Sequence, residues 1–152
     1  MEKITSFTID HNKLLPGLYV SRKDVSEGVT VTTFDLRVTA PNREAVMSTG
    51  VMHTIEHIVA TYLRNSPISE KVVYFGPMGC RTGFYLLIFG DLTSADVIST
   101  VRSAFAFVAS FTGEIPGAKP DECGNYSDQD LLGAKIYAQK YLSELEFQRF
   151  EY

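Results

Sequence analysis

The chain has little cysteine, two residues in 152, Cys80 and Cys123. In a reducing compartment such a pair reads as free thiol, core residue or metal ligand rather than as a disulfide. Clustered positive charge is also missing. The net charge of -4 comes from scattered Asp and Glu, and without the basic footprint of a polyanion binder, neither nucleic acid nor an anionic membrane is an expected partner. The longest apolar runs, Phe84 to Phe89 and Ala104 to Ala109, fall far short of the roughly 20 residues a membrane helix needs. Met1-Glu2-Lys3-Ile4-Thr5 lacks the apolar core of a secretory signal, so a cytoplasmic protein is expected. No repeat, low-complexity tract or charge block divides the sequence. With 45% hydrophobic residues, residues 1–152 read as one domain with a single core.

Hydrophobic periodicity then places the elements. Residues 4–10 alternate weakly and read as a strand. Val29 to Thr39 is a strand with Phe34, Leu36 and Val38 on one side and Asp35 and Arg37 on a polar side. After the Pro41-Asn42 break, a helix runs to about Leu63, with Val51, Ile55, Ile58, Val59 and Tyr62 on one face. Lys71 to Phe75 and Phe84 to Gly90 read as strands flanking a Gly- and Pro-rich loop. Thr93 and Asp96 form a capping box for a second helix with Val97, Val101, Phe105, Val108 and Phe111 as its stripe. A last helix is expected to start near Ser127 and to bury Leu131, Ala138, Leu142 and Leu145. The element order is too irregular for repeated βαβ units. The expected class is therefore α+β, a two-layer sandwich of an antiparallel sheet with helices packed on one face.

The chemistry concentrates in His53-Thr54-Ile55-Glu56-His57. Imidazoles four residues apart on a helix project about 40° apart and reach a common ion. Glu56 beside them supplies a carboxylate able to move protons, which completes the minimum equipment of a catalytic metal site. The histidines lie nearly opposite the helix's apolar face, so something else must cover them. Cys123, in the loop from Ile115 to Asn125, offers a soft third ligand, though a small buried hydrophobe is its plain alternative. Cys80, between Gly79 and Arg81, is either a thiolate acid/base or a packed hairpin cysteine. Arg37 either clamps a polar group or snorkels to water, and His11 beside Asp10 reads first as a turn residue.

Several blocks occur in order: Ser6-Phe7 with Asp10-His11, Phe34-Asp35-Leu36-Arg37, the His53 to His57 motif, Pro77-Met78-Gly79-Cys80 with Thr82-Gly83-Phe84-Tyr85, and Glu122-Cys123-Gly124. Together they closely resemble the S-ribosylhomocysteine lyase (LuxS) family, from residue 4 to the last helix. One difference precedes Cys80, where Tyr74-Phe75-Gly76 stands in place of the family's more usual Asp-x-Ser. The resemblance implies a homodimeric enzyme that cleaves S-ribosylhomocysteine to homocysteine and 4,5-dihydroxy-2,3-pentanedione, the autoinducer-2 precursor. It implies His53, His57 and Cys123 as ligands of one divalent metal per subunit, Fe(II) with Zn(II) or Co(II) able to replace it. It further implies Glu56 and Cys80 as the proton-transfer pair, and Ser6, His11 and Arg37 as substrate contacts.

Two rivals remain open to the sequence. The order H-x-x-E-H is shared with inverzincin-type metallopeptidases, in which Glu114 or Glu122 would replace Cys123. A non-enzymatic, metal-stabilised binding domain would leave Glu56 and Cys80 as bystanders.

Overall fold

A computed structural model describes residues 2–152. Four strands, β1 (Gly17–Ser26), β2 (Val29–Arg37), β3 (Val72–Pro77) and β4 (Gly83–Phe89), form one antiparallel sheet in the order β1-β2-β4-β3. Helices α1 (Thr49–Arg64), α2 (Ser94–Ser110) and α3 (Leu131–Leu145) bury their apolar faces on one side of it. The expected α+β class with helices on one face is what forms. No helix among the described residues is long and apolar enough to cross a membrane.

Strand alternation sorts β2 into two faces. Phe34 and Leu36 enter the core with Leu86 and Ile88 of β4 and with Val51, Ile55, Ile58 and Val59 of α1. Asp35 and Arg37 point the other way, yet they are only 1% and 2% exposed. The polar side of β2 is thus covered, not solvated. Its cover is built from residues 4–6, 8–10, 13–15 and 148–152, which line cavities over this outer face.

Two expectations need correction. Residues 4–10 do not form a strand; a 3-10 turn at Thr5–Phe7 takes their place, with Thr8 capping it through the Thr5 carbonyl at 2.7 Å. Strand β1, by contrast, is unexpected from periodicity. Its distal half, Arg22-Lys23-Asp24, is charged and exposed, and a bulge falls between Val20 and Arg22. Charge and a bulge are how an edge strand avoids pairing with other chains, and both erase the alternation that announces a strand.

Helix ends follow their sequence signals. Ser48 caps α1 by accepting from the Val51 N–H at 3.2 Å, and the Thr93/Asp96 capping box opens α2. The last helix starts at Leu131, later than expected, because Asp130 rather than Ser127 is its N-cap. Register around Gly83 is equally constrained. A Cβ there would collide with the Leu36 carbonyl oxygen, so β2 and β4 meet at that row only if the residue is glycine. Gly83→Ala should cost stability at the upper end of the roughly 1–3 kcal/mol typical of overpacking. A thermal unfolding midpoint within a degree or so of the parent would contradict this.

Candidate metal centre and proton-transfer groups

Helix α1 presents His53 and His57 on the side away from its core face, both half-buried. Their rings lie 4.4 Å apart, nearly perpendicular. The 20-residue connection between α2 and α3 covers them. The His57 Nδ1–H donates to the Pro116 carbonyl at 2.6 Å, and the His53 Nδ1–H donates to the Asp128 carbonyl at 2.9 Å. A carbonyl only accepts, so a proton on each Nδ1 satisfies both contacts and leaves both Nε2 lone pairs for an ion. Cys123 Sγ comes within 3.4 Å of His53 Nε2. Ligand atoms of His53, His57 and Cys123 all lie within 4.8 Å of one another.

Local sequence explains why the loop closes there. Gly117 has φ +69 and its Cβ position faces His57 Nδ1 at 3.1 Å, so a side chain would both strain the turn and crowd the imidazole. At the other end of the loop, Thr54 Oγ1 donates to Gln129 Oε1 at 2.7 Å and accepts from the Asp130 N–H at 2.9 Å. Thr54 is fully buried. These contacts lay residues 128–130 across the first turns of α1, and none of them is visible in periodicity. Two neutral imidazoles and a thiol suit a borderline first-row divalent ion, with at least one coordination position open to a further ligand.

Glu56 sits half-buried on α1 between the two histidines in sequence. The other candidate residues gather elsewhere. Arg37 pairs with Asp35 (Nη2 to Oδ2, 2.6 Å) and donates from Nη1 to Thr82 Oγ1 at 2.6 Å and toward Cys80 Sγ at 3.8 Å. Cys80 Sγ and Thr82 Oγ1 are 3.1 Å apart. Partial desolvation pushes the Cys80 thiol up, but hydrogen bonds from the Thr82 hydroxyl and backbone N–H and the Arg37 guanidinium outweigh it, leaving the thiol below its ordinary value. Cys80 is exposed and free, as is the half-buried Cys123.

His11, half-buried, places Nδ1 2.9 Å from the Ile9 carbonyl. Ser6 lines a cavity of about 340 Å³ with Ser21, Arg22, Tyr74 and Tyr85. Beside it, the Tyr74 ring lies over Gly76, where any Cβ would strike its phenol oxygen. One phenol over a bare glycine therefore occupies the place of the two polar side chains that Asp-x-Ser would bring.

The candidate residues thus form two groups. His53, Glu56, His57 and Cys123 belong to the outer side of α1; Ser6, His11, Arg37 and Cys80 belong to the outer side of the sheet. No hydrogen bond among the described residues joins the two groups. Glu114 and Glu122 are exposed and stand outside the three-residue cluster. The peptidase-type ligand set is therefore not what the fold assembles. Sequence reasoning placed Asp35 beside Arg37 on the polar side of β2 but missed Thr82, Gln129 and Tyr152 as neighbours of these groups.

The family model described as S-Ribosylhomocysteinase (LuxS) matches residues 4–151. An S-ribosylhomocysteine lyase of Phocaeicola vulgatus is 58% identical over 146 residues, covering 95% of this chain and 91% of that protein. Those of Finegoldia magna and Borreliella burgdorferi are 55% and 56% identical, covering 94% and 95% of this chain and 91% and 93% of theirs. With a family model matching nearly its whole length and relatives more than half identical to it, the chain belongs to the S-ribosylhomocysteinase (LuxS) family.

Proposed function

We infer that this chain is an S-ribosylhomocysteine lyase, one catalytic domain over residues 1–152 acting in the cytoplasm. The observation that carries this is the convergence of His53, His57 and Cys123 within a chain more than half identical to enzymes of that name. The products are homocysteine and 4,5-dihydroxy-2,3-pentanedione, the autoinducer-2 precursor. His53, His57 and Cys123 would hold one divalent ion per subunit, Fe(II) in the family's pattern, with Zn(II) or Co(II) able to replace it. Bound there, the ion supplies Lewis-acid stabilisation of oxyanions on the sugar, worth several kcal/mol.

The protein's own groups move the protons. Moving the sugar carbonyl from C1 to C3 requires a proton to leave one carbon and return to its neighbour at each step, which calls for a group on either side of the sugar. Glu56 and Cys80 are assigned to these transfers, and the hydrogen bonds at Cys80 favour the thiolate that accepts a proton. Once the ketone stands at C3, loss of the C4 proton expels the C5 thioether as homocysteine thiolate. Electrons balance without a redox partner. Ser6, His11 and Arg37 are assigned to the substrate's polar groups.

The same assignment supports a homodimer. Glu56 and Cys80 belong to separate groups on one chain, and a two-fold dimer in which Glu56 of each subunit faces Cys80 of the other would place a sugar between them. Incubating Fe(II)- or Co(II)-loaded protein with S-ribosylhomocysteine should release homocysteine, measured by mass. A folded, fully metallated preparation that releases none would end this reading.

A further inference from the structure

We propose that Asp35 and Tyr152 are positioning residues for Cys80: the Tyr152 phenol fixes the Asp35 carboxylate, which orients the Arg37 guanidinium against the Cys80 sulfur. The proposal rests on the role given to Cys80 above. It accounts for two ionic side chains that are almost wholly buried although neither touches the metal cluster.

Asp35 and Arg37 are two residues apart on the same face of β2, so their side chains lie side by side. A single oxygen, Asp35 Oδ2, accepts both from Arg37 Nη2 at 2.6 Å and from the Tyr152 phenol at 3.0 Å. Neither Asp35 Oδ1 nor Arg37 Nε has a partner among the described residues. Few bonds therefore hold the guanidinium. Because it is a rigid plane, anchoring Nη2 on Asp35 sets where Nη1 points, and Nη1 points at Thr82 and Cys80. A slack anchor would let the plane rotate and lengthen an approach to sulfur that is already 3.8 Å.

Tyr152 is in turn held from the edge of the sheet. Its ring stacks on Tyr19 with centroids 4.7 Å apart and planes 15° from parallel. The Tyr19 phenol donates to the Leu15 carbonyl at 2.9 Å, and both rings border a cavity of about 850 Å³ lined by residues 8–10, 13–15 and 148–152. Burial pushes the Asp35 carboxyl up, against the pull of Arg37, Tyr152 and His11. A carboxylate buried at that cost needs each of its donors.

The test is the rate at which iodoacetamide alkylates Cys80 in metal-loaded protein, followed across the neutral pH range, with Cys123 distinguished by peptide mass. Tyr152→Phe keeps the ring, the stack and every charge. It should slow alkylation about threefold, the size expected of one hydrogen bond. Asp35→Asn should slow it about tenfold or more, since a charge-assisted bond is lost. A carboxylate acting only as a nearby charge has the opposite sign, because removing it favours the thiolate and speeds alkylation. Slowing in both variants, with unfolding midpoints confirming that Tyr152→Phe is folded, upholds the relay; an unchanged or faster rate in either overturns it. Alkylation needs no substrate, so a parent protein that releases no homocysteine would sink the proposed function and leave this result readable.

Discussion

Mixing the Glu56→Gln and Cys80→Ala variants, each expected to be inactive alone, should restore about a quarter of the parent activity after subunits are allowed to exchange. The figure follows from symmetry. If each site combines Glu56 of one subunit with Cys80 of the other, a mixed dimer has one site with both defects and one with none, and mixed dimers are about half of the population. If a site were built within one subunit, every site in every dimer would carry a defect and the mixture would stay silent. Each single variant should lose roughly 10²–10⁴-fold in kcat, the usual worth of a positioned proton-transfer group. Metal content measured alongside should be unchanged, since neither residue is among His53, His57 and Cys123. A silent mixture of folded, metallated, exchanging subunits would exclude the shared site.

The second large effect concerns Cys123. Substituting even an outer-shell partner of a metal ligand costs about 10–100-fold in metal affinity, and a ligand removed outright costs more. Cys123→Ala should therefore lose its ion on dialysis against a mild chelator, and homocysteine release with it. Elemental analysis reads the first outcome directly. Metal retained at full stoichiometry would revive the peptidase-type ligand set with Glu114 or Glu122, despite their position outside the cluster. Lowering the pH should weaken binding in the parent chain too, because imidazole and thiol bind metal only in their deprotonated forms.

Which parts of the fold were legible in the sequence follows from the range of the forces involved. Helices α1 and α2 carry their stripes and caps within a few residues of chain, so a local reading finds them. Strand β1 escapes it because an edge strand is shaped by what it must avoid, and the charges of Arg22, Lys23 and Asp24 hide its period. The strand expected at residues 4–10 failed in the opposite way: its weak alternation pairs with neither edge of the sheet, and a 3-10 turn forms at Thr5–Phe7 instead. In the site, His53 and His57 need only helical spacing to meet. Cys123 reaches them through Gly117, Pro116 and the contacts of residues 128–130 with Thr54; residue type alone left it either a soft ligand or a buried hydrophobe, and the family resemblance favoured the ligand. Arg37 was legible as a polar residue on a strand, but its burial beside Asp35 depends on residues 117 positions away in the case of Tyr152.

The connection between α2 and α3 carries a further consequence. It runs 20 residues without regular structure, longer than most connections in compact domains, and two carbonyl contacts pin it to the imidazoles. An ion shared by Cys123 and α1 would cross-link this segment to the helix and offset the entropy of closing so long a loop. Such an ion would then also be a clasp on a long irregular stretch. Cellular metal supply would accordingly govern not only how fast each molecule turns over substrate but how long it survives proteases, and the population of enzyme would track the availability of its own cofactor.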